Sequence, residues 1–170
     1  MEIQAIPKAA ETDSVSVNRS PEEVYRAYRD TVFRLAVARL GSGPAAEDAL
    51  QEVFVRYVKS APVFLDEEHR KAWLIRTTVN YCRSLKRSAF EKRTVPLTGD
   101  VAVKMKERSE VYYAVLKLPA ESRTVIHLFY YEEYPVKEIA ELLGVNEATV
   151  KSRLRRARQK LKTLLEQDAL

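Results

Sequence analysis

Cysteine occurs once in this 170-residue chain, at Cys82, so no intrachain disulfide can form and a reducing compartment is the natural expectation. Histidine occurs twice, at His69 and His127, far apart. With a single cysteine, that leaves no set of ligands at zinc-site spacing, and neither a metal nor a cofactor is expected. Glycine is scarce as well, with only Gly41, Gly43, Gly99 and Gly144. A β-sandwich or barrel needs many turn residues, and a phosphate-cradling loop needs clustered glycines, so an all-α fold is expected. No stretch approaches the ~18 apolar residues of a membrane helix. The opening MEIQAIPKAAETDSVSVNRS lacks the basic segment and apolar core of a secretory leader. These absences lead to the expectation of a cytoplasmic, soluble helical protein without direct membrane insertion. The chain also has no nucleophile–base pair, carboxylate dyad or metal spacing, so no enzymatic chemistry of its own is expected.

What is present is charge, unevenly placed. Lys and Arg number 29 against 24 Asp and Glu, a net of +5. Glu147–Lys162 holds seven bases and one acid, and Arg70–Arg93 holds eight bases and only Glu91 as an acid. Between Glu47 and Glu68 the sign reverses, with six acids against two bases. Two separate cationic surfaces suggest a polyanion gripped at two places.

Helix signals divide the chain. Residues 1–19 are polar and aperiodic and read as a mobile extension. Ser20-Pro21-Glu22-Glu23 combines a capping hydroxyl, a first-turn proline and two carboxylates at the positive end of a helix dipole. The first helix runs to Leu40, and Gly41-Ser42-Gly43-Pro44 ends it and starts a second, with Ala49, Val53, Phe54 and Val58 as its buried side. Asp66 can cap a third helix carrying Trp73, Leu74, Val79, Tyr81 and Leu85 to about Ser88. Residues 89–106 contain Pro96 and Gly99, show no sustained period, and read as a flexible linker. Helices are then predicted over 107–118, 120–131, 135–143 and from about Glu147 to Leu165. The domains are therefore 20–88 and 107–170, two small helical modules.

The second module carries a helix-turn-helix pattern, VKEIAELLGVNEATVKSRLR. Ala140 is small where two helices cross, Gly144 supplies the tight turn, and Val150 lies on the buried side of the second helix. Asn146 or Glu147 can cap that helix. Val150, Leu154, Ala157 and Leu161 form its inner stripe, while Lys151, Ser152, Arg155, Arg156 and Gln159 form the outer one. Cations and hydrogen-bonding groups on one face are what major-groove reading requires.

In the first module, Asp48, Gln51 and Glu52 share one face of the second helix, with Phe54 near its edge. As a bare pattern this also describes a solvated surface. The third helix mixes Trp73 and Tyr81 with Arg76, Asn80, Arg83, Lys86 and Arg87, which suits single-stranded nucleic acid, although Trp73 alone reads as core.

Together, DALQEVF in the first module and TVKSRL in the second resemble a bacterial RNA polymerase sigma factor of the extracytoplasmic-function (ECF) group, in the sigma-70 family. Residues 25–88 are similar to the family's region 2 and residues 111–165 to its region 4, in the right order and with a linker between. The resemblance implies that Asp48, Gln51, Glu52 and Phe54 contact the clamp helices of the polymerase β′ subunit. It implies −10 recognition and melting by Asn80, Arg76 and the bases Arg83, Lys86 and Arg87. It further implies −35 reading by Lys151, Ser152, Arg155 and Arg156. Arg158, Lys160 and Lys162 lie further along, where they would meet the phosphate backbone. Partners expected on this ground are core RNA polymerase, promoter DNA and an anti-sigma factor, often membrane-anchored in this group. Other readings of the same residues are a stand-alone duplex-binding regulator using only the second module, and a helical adaptor. A requirement for core polymerase separates the sigma-factor reading from both.

Overall fold

The computed structural model describes residues 18–87 and 110–168. The expected N-terminal extension up to residue 17, the expected linker and the start of the fourth helix at 107–109 lie outside these residues. Within them the fold is all-α: α1 (Pro21–Leu40), α2 (Gly43–Ser60), α3 (Glu67–Arg87), α4 (Glu110–Leu116), α5 (Ala120–Ile126), α6 (Val136–Leu143) and α7 (Glu147–Asp168).

Local chemistry explains most boundaries. Ser20 and Glu23 form a reciprocal capping box, the Glu23 amide donating to Ser20 Oγ at 3.2 Å and the Ser20 amide to Glu23 Oε2 at 2.8 Å. Gly41 ends α1 in the left-handed region at φ 66°, where a side chain would be strained. Ser42 caps α2, and Asp66 Oδ1 accepts from the His69 amide at 2.7 Å at the start of α3. The sequence predicts an unbroken helix to Tyr131, but the segment His127–Tyr131 widens into a π-helical turn. There the Glu132 amide donates to the His127 carbonyl, five residues back. The wider turn lets the Tyr134 amide reach the Leu128 carbonyl at 3.0 Å and brings Tyr134 into the core.

α1, α2 and α3 pack into a three-helix unit around Val24, Val32, Val53, Tyr57, Phe64 and Leu74. Val58, expected on the buried side of α2, is 58% exposed, because the inward position in that last turn is taken by its neighbour Tyr57, which is buried against Phe64 and Trp73. α5, α6 and α7 form the second unit. The two are not independent: Leu35 of α1 and Ile75 and Val79 of α3 belong to the same buried cluster as Leu118, Val125, Leu128, Ile139 and Leu143.

Candidate nucleic-acid interface

α6 and α7 form the helix-turn-helix. Gly144 ends α6 at φ 65°, the turn the pattern calls for. The Val145 amide donates to the Ala140 carbonyl at 3.0 Å, and Asn146 Oδ1 accepts from the Thr149 amide at 2.7 Å. Asn146, not Glu147, is therefore the cap of α7. Ile139, Leu142 and Leu143 of α6 meet Val150, Leu154 and Ala157 of α7, all buried. With that stripe inward, Lys151, Arg155 and Arg156 are exposed and Ser152 lies at the edge of the same face, accepting from Arg156 Nη2 at 2.8 Å. This face carries three cations and a hydroxyl within one and a half turns, in reach of both base edges and phosphates. Arg158 is turned aside: its Nε donates to Tyr130 Oη at 2.7 Å and its guanidinium lies over the Phe129 and Tyr130 rings. Arg153 points the other way, to Glu121.

On α2, Asp48 and Gln51 are exposed and Glu52 is half-buried on the same face, paired with Arg56 at 2.7 Å. Phe54 does not share that surface. It is 8% exposed, its ring edge-on to Tyr25 at 4.9 Å and tilted against Tyr57. A sequence face can be assigned by spacing, but Phe54 sits at the boundary between faces, and Tyr25 of α1 draws it inward.

α3 carries its polar residues in two directions. Asn80 is exposed and lines an open cleft of about 500 Å³ with Arg56, Lys59, Ser60, Trp73 and Thr77. Trp73 is half-buried, edge-on to Tyr57 at 5.7 Å and Phe64 at 6.2 Å, so one side of the indole is core and another forms the cleft wall. Arg56 and Lys59 are the cations that reading α3 alone misses. Their signal was available, since they are the two bases in the otherwise acidic stretch 47–68. Arg76 and Arg83 lie on the side of α3 that turns to the second unit. Arg83 Nη2 donates to the Leu143 carbonyl at 3.0 Å. Burial lowers the pKa of both guanidinium groups from its ordinary value, with Glu141 opposing at Arg76 and Glu121 at Arg83. Lys86 and Arg87 fall in the last turn of α3. Among the described residues no cluster of His, Cys, Asp or Glu could hold a metal ion.

Comparison with known proteins agrees with this layout. The family model for sigma-70 region 2 matches residues 24–91, and that for sigma-70, region 4 matches residues 108–161. The ECF RNA polymerase sigma factor SigM of Mycobacterium tuberculosis is 31% identical over 149 residues, spanning 85% of this chain and 76% of that protein. The ECF RNA polymerase sigma factor SigW of Bacillus subtilis is 29% identical over 158 residues, spanning 81% and 84%. Among solved structures, the sigma factor RpoE of Bartonella quintana, crystallised with the anti-sigma factor NepR, shares the fold with a TM-score of 0.69 at 20% identity, covering 85% of this chain and 96% of that one. CnrH, solved in complex with the cytosolic domain of CnrY, superposes with a TM-score of 0.61 at 25% identity, covering 87% and 88%.

Proposed function

This chain belongs to the ECF RNA polymerase sigma factors of the sigma-70 family, and from that premise we propose which of its surfaces meets which partner. As a sigma factor it directs core RNA polymerase to promoters and starts transcription, and the nucleotidyl transfer belongs to the polymerase. The exposed Asp48–Gln51–Glu52 face of α2 is the docking surface for the β′ clamp helices. Phe54 supports that face from inside by holding α2 against α1.

The cleft beneath Asn80 is the place for an unstacked base of the −10 element. The Trp73 wall offers a stacking surface, Asn80 offers a donor and an acceptor, and Arg56 and Lys59 offer cations for the adjoining phosphates. Arg76 and Arg83, which here face the second unit, are further −10 contacts in this reading, together with Lys86 and Arg87 of the last turn of α3. The outer face of α7 enters the major groove at −35, with Lys151, Ser152, Arg155 and Arg156 toward the bases and Arg158, once released from Tyr130, toward the backbone. The observation that carries this reading is the presentation of those four side chains outward from a helix-turn-helix whose inner stripe is fully packed.

The described helices include none long and apolar enough to cross a membrane, and the cytoplasm is where such a factor meets its polymerase. RpoE and CnrH were each solved with a bound partner protein, and an anti-sigma factor is the corresponding partner expected here. Run-off transcription on genomic fragments with core polymerase tests the whole assignment. Discrete transcripts that depend on both this chain and core enzyme are expected; a DNA footprint that needs no polymerase would replace it with a stand-alone regulator.

A further inference from the structure

α7 carries a line of cations along the edge of its outer face. Lys151, Arg155, Arg158 and Lys162 recur at i, i+4, i+7 and i+11, and all four are exposed. Arg158 differs from the others in being held. Its Nε donates to Tyr130 Oη at 2.7 Å, and its guanidinium lies 5.6 Å from the centres of both the Phe129 and the Tyr130 rings. The two rings meet edge-on at 4.9 Å, so they brace each other as well as the cation. Both belong to the π-helical turn His127–Tyr131, a local geometry found frequently at functional sites.

This manner of holding leaves the charge of Arg158 uncancelled. Arg153, on the opposite flank of α7, is paired with the Glu121 carboxylate. Arg158 is steadied by rings instead, and among the described residues no carboxylate pairs with it. Its two Nη groups and the Tyr130 hydroxyl proton likewise meet no acceptor among the described residues. Tyr130 is 56% exposed, so these donors stand side by side at the surface. Adjacent N–H and O–H donors with a net positive charge suit a phosphate oxygen, which only accepts. Position agrees with chemistry. Arg158 lies two turns from Lys151, about 10 Å along the helix, and the major groove is about 12 Å wide. A helix whose first turns reach the bases therefore brings this pair to the groove wall, where the phosphates are.

We propose that Tyr130 and Arg158 form a phosphate clamp on the −35 element, with Tyr130 a DNA contact contributed from outside the reading helix. This rests on α7 entering the major groove as proposed above. In the free chain Tyr130 Oη accepts from Arg158. On DNA a backbone oxygen takes the place of that bond and accepts from the guanidinium and the phenol O–H together. The rings keep the guanidinium near its working position, so less side-chain freedom is lost on binding. The contact carries no base information and fixes how α7 is seated in the groove.

Tyr130→Phe removes only the hydroxyl and keeps the rings, so helical content by circular dichroism should be unchanged. Holoenzyme carrying it should bind promoter DNA roughly three- to tenfold more weakly, the range of one net hydrogen bond. The loss should be even across −35 variants and leave the salt slope unchanged, because a neutral donor releases no counterion. Arg158→Ala should also weaken all sequences alike, and lower the slope by about 1. Replacing single phosphates around the −35 element with uncharged methylphosphonates locates the shared contact. At one position the replacement should weaken wild-type holoenzyme and weaken the Tyr130→Phe, Arg158→Ala double variant no further. Full affinity of Tyr130→Phe, or tighter binding because Arg158 is freed, overturns the clamp. So does a loss confined to some −35 sequences, or a methylphosphonate penalty as large in the double variant as in wild type at every position. Arg155→Ala separates this failure from failure of the function proposed above. If it weakens binding while Tyr130→Phe is silent, the clamp alone is wrong; if both are silent, α7 is not the −35 surface and both readings fall.

Discussion

Asn146 accepts two hydrogen bonds at the start of α7, from the Thr149 amide at 2.7 Å and the Thr149 hydroxyl at 2.8 Å. Asn146→Ala should cost about 1 kcal/mol, the usual value of a lost helix cap, read as a lower denaturation midpoint. Along the same helix, Arg155 and Arg156 stand on the proposed reading face, and exposed Lys160 lies beyond it. Arg155→Ala or Arg156→Ala should cost roughly 1–3 kcal/mol on the preferred −35 sequence and flatten the base-preference profile. Lys160→Ala should weaken all sequences alike and lower the salt slope by about 1. Binding of holoenzyme to a −35 variant library at two salt concentrations separates the two behaviours. These positions were legible in the sequence, since an inner stripe of Val150, Leu154, Ala157 and Leu161 dictates what faces out. Arg158 was not: its ring partners Phe129 and Tyr130 come from a distant turn.

At the scale of elements, α2 offers an acidic and amide face that makes no contribution to the buried clusters. Reversing Asp48 and Glu52 to Lys should abolish transcription and core binding in a pull-down. Stability should change by only about 0.5 kcal/mol at exposed Asp48 and by somewhat more at half-buried Glu52, where the new cation meets Arg56. The turn between α6 and α7 responds differently. A Cβ at Gly144 would meet nothing within 4 Å, so the cost of Gly144→Ala lies wholly in its φ of +65°. That cost is roughly 1–2 kcal/mol, measurable by chemical denaturation. On α3, Asn80→Ala should reduce open-complex formation on duplex promoters without weakening core binding. Pre-melted promoter DNA should recover part of the loss if melting is at fault. The helices themselves and most of their ends could be read from capping and spacing. The π-helical turn at His127–Tyr131 could not, because it answers to the burial of Tyr134 against the rest of the module.

Across the whole molecule, two carboxylates, Glu121 and Glu132, pair with cations of the first unit across the contact between the units, and both make that closed contact acid-sensitive. The hydrogen bond from Arg39 keeps the Glu121 carboxyl below its ordinary value of 4.5, although partial burial works against it. At Glu132 burial pushes upward, but the hydrogen bonds from His127 and Lys71 outweigh it and the value is again lowered. A carboxylate with a lowered value in the closed form stabilises that form fully above its ordinary pKa, and the contribution disappears as pH falls through the lowered value. The closed form should therefore persist at neutral pH and expand in acid, below the ordinary carboxylate range. Glu121→Gln should lessen that acid dependence, as followed by scattering from pH 7 to pH 3.

The sequence by itself determined the helical class, the two modules, the helix-turn-helix and the outward faces of α2 and α7. All of these depend on neighbours three and four residues apart, on caps and on turn residues, and such local rules are written in the order of the chain. Only the tertiary structure decided that Val58 is exposed, that Asn80 shares a cleft with Arg56 and Lys59, and that Arg76 and Arg83 are turned to the second unit. It also decided that Arg39, an ordinary basic residue near a helix end, is buried against a carboxylate from a helix more than eighty residues away. Contacts of that range depend on how whole helices pack, and no spacing within one helix encodes which distant carboxylate a buried cation will meet.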